Sequence, residues 1–390
     1  MPASPSTARA INDRLALRLL QHEGPLTAGQ LKQLTGLSRP TVADLVERLT
    51  ASGLIEMVGE SGEQRRGPNA RLYGLVADRA HLAALDVRTE GVSVLVSDLV
   101  GRVLAEASVP IDGDSGTGPA VEQAVALVER AAKEAGAEHL HTVGIGAPGL
   151  IDPTTGELRD TTGLPAWHRR LVAALQERLP DARVVVENET NLAALAEQRD
   201  GAARDRDTFV LVWLGMGIGA AILLDGALRR GASGGAGELG FLPVPGTRGL
   251  PSATDCEGGF HSLAGAGAVL ELAREHGVLG VGGAAEVVRW AVTEVAGPGR
   301  TVATRFLDAL ADRVALGVAS VVALLDPGCV VLGGEIGQAG GDELAVRVAE
   351  RIGRMSPLPA EVRPSVLGGA AVLRGALLTA QDGAQDELFG

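Results

Sequence analysis

The sequence of 390 residues contains few cysteine, lysine and aromatic residues, and the shortage of cysteine excludes two kinds of site. Its two cysteines, Cys256 and Cys329, lie far apart and form no C-x-x-C pair, so we expect neither a disulfide framework nor a thiolate metal site. Lysine occurs only at positions 32 and 133, so arginine supplies nearly all of the positive charge. The two isolated cysteines fit a protein of the reducing cytoplasm.

Long hydrophobic runs are also missing. The longest uncharged run, residues 208–224, is shorter than the roughly 20 apolar residues of a spanning helix, and its glycines favour a pair of strands. The N-terminus has no basic segment followed by an apolar one, so we expect neither secretion nor a membrane partner. With 46% hydrophobic and 21% charged residues, the chain can form two or three globular domains.

Negative charge is unevenly distributed along the chain. Residues 1–79 carry ten Lys and Arg against eight Asp and Glu, a net charge of +2. The remaining residues carry 25 against 40, a net charge of −15, which gives −13 for the whole chain. Because DNA phosphates repel an acidic surface, any contact with DNA must come from the N-terminal segment.

A helix-turn-helix is predicted within the first 53 residues. Ile11 and Leu15 begin the apolar pattern of a first helix, and Thr27 with Gln30 forms a capping-box pattern at the start of a second. The third helix follows Ser38. Residues 35–37 between the second and third helices form a tight connection with a glycine, as a helix-turn-helix requires.

The third helix, residues 38–52, is predicted to enter the major groove of DNA. Apolar residues recur at positions 42, 45, 46 and 49, which is the spacing of one buried helical face. Ser38 is a favourable N-cap, and Pro40 is tolerated in the first turn. The acidic Asp44 opposes tight binding to phosphates, but it does not remove the signal. The predicted DNA-binding residues of this helix are Ser38, Arg39, Pro40, Thr41, Asp44 and Arg48.

Two predicted strands, residues 54–58 and 71–75, flank a polar, glycine-rich loop at 59–69 that carries Arg65 and Arg66. The pattern predicts a winged helix-turn-helix domain over residues 1–78, with Arg65 and Arg66 in a wing over the DNA backbone or minor groove. A small helical appendage with a solvated basic loop is the alternative interpretation.

From residue 82 the spacing of the apolar residues changes from the 3.6-residue period of a helix to the two-residue period of a strand. Three successive strands are predicted within residues 82–111, and a second such set begins at Phe209. Two β-β-β units, each followed by helices, predict a duplicated α/β architecture in which ligands bind in a cleft between two lobes.

Four segments of the body carry a resemblance. They read TVGIGAPGLIDPTTGELRDTTGLPAW at 142–167, VENETNLAALAE at 186–197, AGELGFLPV at 236–244 and VVALLDPGCVVLGGEIG at 321–337. Together they resemble the ROK family of bacterial sugar kinases and sugar-responsive repressors, whose regulator branch also carries an N-terminal winged helix. The resemblance covers roughly residues 80–382. It implies that residues 79–390 form a ROK domain with a two-lobed, actin-like (RNase H-like) ATPase fold.

The positions where kinases of this family hold phosphate are altered. Their first strand ends Asp-x-Gly-Gly-Thr-Lys, whereas residues 86–90 here read Asp-Val-Arg-Thr-Glu. The missing glycines hinder close approach of the backbone, and Glu90 brings a negative charge towards the phosphates. The second phosphate turn keeps its glycines but has Met216 where threonine is usual. We therefore predict no nucleotide cofactor and no catalytic residue.

The motif for the catalytic carboxylate is altered as well. Asn-Asp-x-Asn in active relatives reads Asn-Glu-Thr-Asn at 188–191, and the extra methylene displaces the carboxylate by more than an ångström. Phe241 replaces the expected histidine, and residues 252–261 have no cysteine in register for the family's zinc site, so we predict no metal. The resemblance implies that Asn188 and Glu238 contact a hexose, and His261 replaces the closing glutamate of the family's zinc segment. The predicted ligand-binding residues are Gly149, Asn188, Glu189, Glu238 and His261.

The leading hypothesis is therefore a sequence-specific transcriptional regulator, a repressor of carbohydrate-related genes, with a catalytically inactive sensing domain. Its expected partners are double-stranded operator DNA and a sugar or sugar-phosphate effector. A homodimer or a dimer of dimers is expected, because one winged helix makes too few contacts for specific affinity. The alternatives are an active sugar kinase with a DNA-binding head, a regulator that binds no ligand, and a scaffold protein that binds no DNA.

Overall fold

The computed structural model describes residues 5–61, 70–112, 116–159, 165–247, 249–252 and 258–389. These residues form an N-terminal domain, here called the head, and a two-lobed α/β body that begins near residue 81. No helix in the described ranges is long and apolar enough to cross a bilayer.

The head is a three-helix unit with a small antiparallel sheet. Leu45 and Leu49 on α3 pack with Leu17 of α1 and Leu31 of α2 in a common core. The sheet has the strand order β1-β3-β2. The elements are α1 (Pro5–Glu23), β1 (Leu26–Thr27), α2 (Ala28–Thr35), α3 (Arg39–Ala51), β2 (Ile55–Ser61) and β3 (Ala70–Leu75).

Local sequence signals in the head predicted its helix termini. The capping box of Thr27 and Gln30 is present, because the Gln30 N–H donates to Thr27 Oγ1 and the Thr27 N–H donates to Gln30 Oε1. Gly36 ends α2 in the left-handed conformation, with φ 69°, which glycine adopts without steric cost. Ser38 caps α3 by accepting the Thr41 N–H. The predicted helix-turn-helix is therefore formed by these residues.

Three details of the head differ from the sequence-based expectation. The first helix has 19 residues and already begins at Pro5, whereas a short helix marked from Ile11 was expected. The wing strands are longer than the predicted 54–58 and 71–75, because pairing continues past a bulge between Met57 and Gly59. The two-residue strand β1 was not predicted, since it is defined only by its pairing with Tyr73 and Leu72.

The first lobe contains a five-stranded sheet of order β6-β5-β4-β7-β8. The three predicted strands between residues 82 and 111 are present as an antiparallel meander, and β4 then pairs with β7 in parallel. The elements are β4 (His81–Arg88), β5 (Gly91–Asp98), β6 (Val103–Pro110), α4 (Thr117–Glu134), β7 (Thr142–Ala147), α5 (Ala166–Arg178), β8 (Arg183–Asn188) and α6 (Glu189–Arg199).

The second lobe repeats this plan with the order β11-β10-β9-β12-β13, so the predicted duplication is present. Helix α11 contains a kink at Gly341. The elements are β9 (Phe209–Leu214), β10 (Ile218–Leu224), β11 (Ala227–Leu228), α7 (His261–Ala264), α8 (Ala266–Glu275), α9 (Ala284–Glu294), α10 (Arg300–Leu325), β12 (Cys329–Gly333), α11 (Gly334–Met355), β13 (Glu361–Pro364) and α12 (Ala371–Leu388).

Two helices form the layer between the sheets. Helix α12 packs on β4 and β7 of the first sheet, α6 packs on β9 and β10 of the second, and the two helices contact each other. Gly375 permits this contact, because a Cβ there would lie 2.0 Å from the carbonyl oxygen of Leu192. Each lobe thus contributes a helix to the packing of the other, and the cleft lies at one end of this layer.

The end of α12 reaches the head. Phe389, which is 8% exposed, belongs to the same apolar cluster as Leu17 and Leu45, and Leu388 packs against that cluster. Arg18 of α1 also donates to Asp386 over 3.2 Å. The head is therefore completed by residues from the far end of the chain.

Candidate functional site

The exposed side of α3 carries the predicted DNA contacts. Arg39 and Asp44 are exposed, Thr41 is half-buried, and Val42, Leu45, Val46 and Leu49 face the core. The hydroxyl oxygens of Ser38 and Thr41 lie 2.8 Å apart, so capping positions both at the N-terminus of the helix. Pro40 occupies the first turn, where it lacks no required hydrogen bond. This end of α3 presents a cation and two hydroxyl groups beside one another.

Arg48 differs from the expectation that it faces solvent or a groove. Its guanidinium donates to Asp13 of α1, with Nη2 2.5 Å from Oδ1, and it also contacts Asp44 one turn earlier on α3. The charge of Arg48 is therefore largely compensated inside the head. Arg48 remains a predicted DNA contact, but its observed role is to join two helices, a long-range pairing that local sequence cannot reveal.

Arg65 and Arg66, predicted for the wing, lie outside the described residues. The strands that flank them, β2 and β3, are paired up to Ser61 and Ala70. The base of the predicted wing is therefore present, and the roles of the two arginines remain predictions.

A cavity of about 560 Å³ lies in the cleft between the lobes. All five predicted ligand-binding residues line it: Gly149, Asn188, Glu189, Glu238 and His261. Phe241, Met216 and Trp213 add apolar surface, so the lining combines carboxylates with apolar and aromatic groups. The structure thus brings together residues that span more than a hundred positions of sequence.

Asn188 connects the predicted ligand residues of the first lobe. Its Nδ2 donates to the Gly149 carbonyl and to Glu189 Oε2, both over 3.0 Å, while its Oδ1 accepts the backbone N–H groups of Thr190 and Asn191. Gly149 itself has φ 107°, a conformation that a side chain would strain. Asn188 therefore caps α6 and positions both Gly149 and Glu189 at the cleft.

Arg88 joins the two lobes across the cleft. Its Nε donates to Asp86 on the same strand over 3.0 Å, and its Nη1 donates to Glu335 of the second lobe over 2.7 Å. Arg88 stands where the resemblance expects a phosphate-binding glycine. The missing glycine is evident in the sequence, but this bridge is not, because Glu335 lies 247 residues away.

The glycine turn after β9 is already hydrogen-bonded. The Gly215 N–H donates to the Gly217 carbonyl over 3.1 Å, and the Ile218 N–H donates to Nδ1 of His261 over 3.3 Å. Glu335 lies against the same turn, since a Cβ at Gly215 would be 2.5 Å from its Oε2. Two N–H groups of the turn are therefore occupied, and a carboxylate lies beside it.

A second ion pair between the lobes was not predicted. Glu187, at the end of β8, accepts Nε of Arg230 over 2.6 Å, and its other oxygen accepts the Asn188 N–H and Nδ2 of Asn191. Arg230 belongs to the second lobe, shortly before the loop that carries Glu238. The pair fixes the two lobes next to the residues that are predicted to bind ligand.

Burial shifts the pKa values of the cleft residues. Burial, reinforced by the charges of Asp86 and Glu238, raises the pKa of Glu189 to about 8. Burial also raises the pKa of Asp86, because the nearby Arg88 offsets the effect only in part, and it raises the pKa of Glu238. It lowers the pKa of His261. At neutral pH, Glu189 is therefore a protonated acid and His261 a neutral imidazole.

Replacing Glu189 with glutamine is expected to change how stability depends on pH. The pKa of Glu189 is raised from 4.5 in the unfolded chain to about 8, so its contribution falls as pH rises between these values, by at most about 1.4 kcal/mol per unit. The E189Q variant lacks this loss. From pH 6 to pH 8, the free energy of unfolding of E189Q, measured in urea, should therefore rise relative to that of the wild type. The exposed Glu177→Gln serves as control, and parallel curves for E189Q and wild type would contradict the assignment.

The segment for which we predicted no zinc site lies mainly outside the described residues, because residues 253–257, including Cys256, are not among them. Phe241 lines the cavity and offers no ligand atom. Within the described ranges, no group of three His, Cys, Asp or Glu side chains is arranged to hold a metal ion. Cys329 is a free cysteine that is buried in β12.

Comparison with known proteins agrees with this architecture. The ROK family model matches residues 82–382, and the MarR family model matches residues 11–67. The chain belongs to the ROK family. The ROK match covers the body, including every residue that lines the cleft cavity, and the MarR match covers most of the head.

Individual relatives include both repressors and kinases. This ROK protein is 23% identical to the xylose repressor of Caldicellulosiruptor bescii over 333 residues, which are 83% of each chain. A ROK family transcriptional regulator, described as a homologue of the Escherichia coli MLC protein, shares the fold over 98% of both chains, with a TM-score of 0.78 and 20% identity. A ROK hexokinase from Thermus thermophilus is 29% identical, and the similarity covers 78% of this chain and 99% of the hexokinase, with a TM-score of 0.63. The kinase thus matches the body without the head.

Proposed function

We propose that this ROK protein is a DNA-binding repressor of carbohydrate-related genes whose body senses a sugar and transfers no phosphate. The observation that carries the proposal is a helix-turn-helix head, with the N-terminus of α3 exposed, attached to a body that has a ligand-sized cleft. A ROK family transcriptional regulator of known structure shares the fold over 98% of both chains, so the likeness includes head and body. A DNA-binding role places the proposed repressor in the cytoplasm. The charge separation along the chain supports the same arrangement.

Several features of the cleft argue against kinase activity. Arg88 and Glu90 replace the residues that approach phosphate in family kinases, and Glu335 occupies the space beside Gly215. Glu189 is protonated at neutral pH, so it is a poor base for a sugar hydroxyl. A phosphoryl-transfer site requires positive charge around the phosphates, whereas the described lining has five acidic residues and one arginine, which two carboxylates compensate.

Helix α12 offers a direct route from the cleft to the head. Val372 at its start lines the cavity, while Leu388 at its end and the adjoining Phe389 pack into the head. In the proposed mechanism, a sugar favours one arrangement of the lobes, and α12 carries that preference to the spacing of two heads in a dimer. Such coupling requires the effector to bind one arrangement more tightly than the other.

Operator binding is tested with the purified protein and the DNA upstream of its own gene. Fluorescence anisotropy at two salt concentrations should give sequence-specific binding that weakens as salt rises. Binding no tighter than to scrambled DNA would contradict the proposal. Light scattering of the same sample should give the mass of a dimer or a dimer of dimers.

Catalysis is tested separately from DNA binding. A coupled assay for ADP release with ATP and D-xylose, D-glucose or N-acetylglucosamine should show no turnover above background. Measurable turnover of any of these sugars would contradict the inactive-body part of the proposal. It would favour the alternative of a kinase that carries a DNA-binding head.

A further inference from the structure

The cleft has an unusual balance of charge for a site related to sugar kinases. Among the described residues that line it, five are acidic and one is an arginine. His261 is neutral, because burial lowers its pKa. The acidic residues are Asp86, Glu90, Glu189, Glu238 and Glu335. A ligand that enters therefore meets mainly carboxyl groups.

The positive charge of the single arginine in this described lining is compensated by two carboxylates. Arg88 is bound to Asp86, whose side chain is 8% exposed, and to Glu335, whose side chain is 45% exposed. Although burial opposes its ionisation, these two carboxylates raise the pKa of Arg88 further. An anion that approached the remaining nitrogen, Nη2, would still lie close to the carboxylates of Asp86 and Glu335.

Two backbone donors of the glycine turn are already occupied. The Gly215 and Ile218 N–H groups already have acceptors within the protein, and Glu335 Oε2 faces the turn that they flank. Nδ1 of His261 accepts from Ile218, which leaves Nε2 to carry the proton and to donate to a ligand. Glu189, as a protonated acid, is a second neutral donor. These groups suit hydroxyl oxygens, which both donate and accept.

We infer that the cleft selects an uncharged sugar and rejects its phosphorylated form, with the Arg88–Glu335 pair as the determinant of this specificity. The inference rests on the proposed sensing function and narrows it from sugars or sugar phosphates to sugars without an anionic group. Arg88 acts here as a specificity-determining residue: it neutralises two carboxylates instead of a ligand phosphate.

The wild-type protein is tested by calorimetry and thermal shift with matched pairs: D-glucose and glucose 6-phosphate, N-acetylglucosamine and its 6-phosphate, and D-xylose and its 5-phosphate. At least one free sugar should bind, and its phosphorylated partner should bind at least about tenfold more weakly. Tighter binding of a phosphorylated partner than of its free sugar would overturn the inference.

A variant separates this inference from the sensing function. Glu335→Gln removes the negative charge beside Gly215 and the ion pair with Arg88, so the variant should bind inorganic tripolyphosphate at least about tenfold more tightly than the wild type. The matched control is Glu343→Gln, which removes a carboxylate that pairs with Arg347 on the same helix but outside the cleft lining.

The outcomes are distinguishable. If no free sugar shifts the melting temperature, the sensing part of the proposed function fails, and the tripolyphosphate comparison still decides the question of anion exclusion. If E335Q and the wild type bind tripolyphosphate equally, or if neither binds it, the Arg88–Glu335 pair is not the determinant. An equal gain in E343Q would also overturn the assignment.

Discussion

Reversing three charges of the head, with Arg39, Arg65 and Arg66 each changed to glutamate, is expected to lower operator affinity by at least about a hundredfold. Each lost phosphate contact should reduce the slope of log affinity against log salt by about 0.9, and each new carboxylate adds repulsion. Arg39 is exposed at the N-terminus of α3, where phosphate and base contacts concentrate in helix-turn-helix proteins. Anisotropy titrations over a series of salt concentrations measure both quantities.

A control variant carries the same change of net charge on the body. Arg130, Arg289 and Arg305 are exposed on α4, α9 and α10, and changing all three to glutamate should leave operator affinity within a few-fold of the wild type. If both triple variants lose affinity equally, the head has no special role in DNA binding. That result would favour the scaffold alternative.

Replacing Phe389 with alanine is expected to destabilise the head by about 3 kcal/mol, which is typical of a large buried side chain. Phe389 is 8% exposed and packs in the cluster that contains Leu17 and Leu45, so the truncation leaves a cavity between α12 and the helices of the head. Hydrogen exchange should become faster in α3 and β3 and stay unchanged in β9 and β12. Operator binding should weaken, while the affinity for a free sugar, measured by calorimetry, should stay as in the wild type.

The matched control for this variant is Leu324→Ala, because Leu324 is 78% exposed on α10. We expect no change in exchange rates in that variant. If Phe389→Ala leaves the amides of α3 as protected as in the wild type, the packing of α12 does not stabilise the head.

Signals between near neighbours in the sequence predicted much of this structure. The capping box of α2, the N-cap Ser38 and the β-meander after residue 81 all depend on residues within a few positions of one another. The five predicted ligand residues meet at one cavity, since their motifs lie at the ends of strands and helices that border the cleft. Residue patterns were sufficient to predict the helix caps and the meander because their geometry is local, and the cavity residues because their places are set by the family's fold.

Pairings between distant segments were not predicted. The contact of Arg48 with Asp13, and those of Arg88 and Arg230 with the opposite lobe, involve an arginine that could bond many carboxylates. Charge alone does not choose among these partners, because the choice depends on how the elements pack. The same holds for Phe389, which reads as the apolar end of a helix and gives no sign that it faces α1.

The contribution of α12 to the head has a consequence for biosynthesis. A ribosome makes the helix-turn-helix first, but Leu388 and Phe389 emerge only after the whole body has been translated. Until then, the nascent head lacks part of its apolar packing, and an interrupted chain never acquires it. We therefore expect a polypeptide that ends before Leu388 to have a less stable head, and to bind operator DNA more weakly, than the full-length chain.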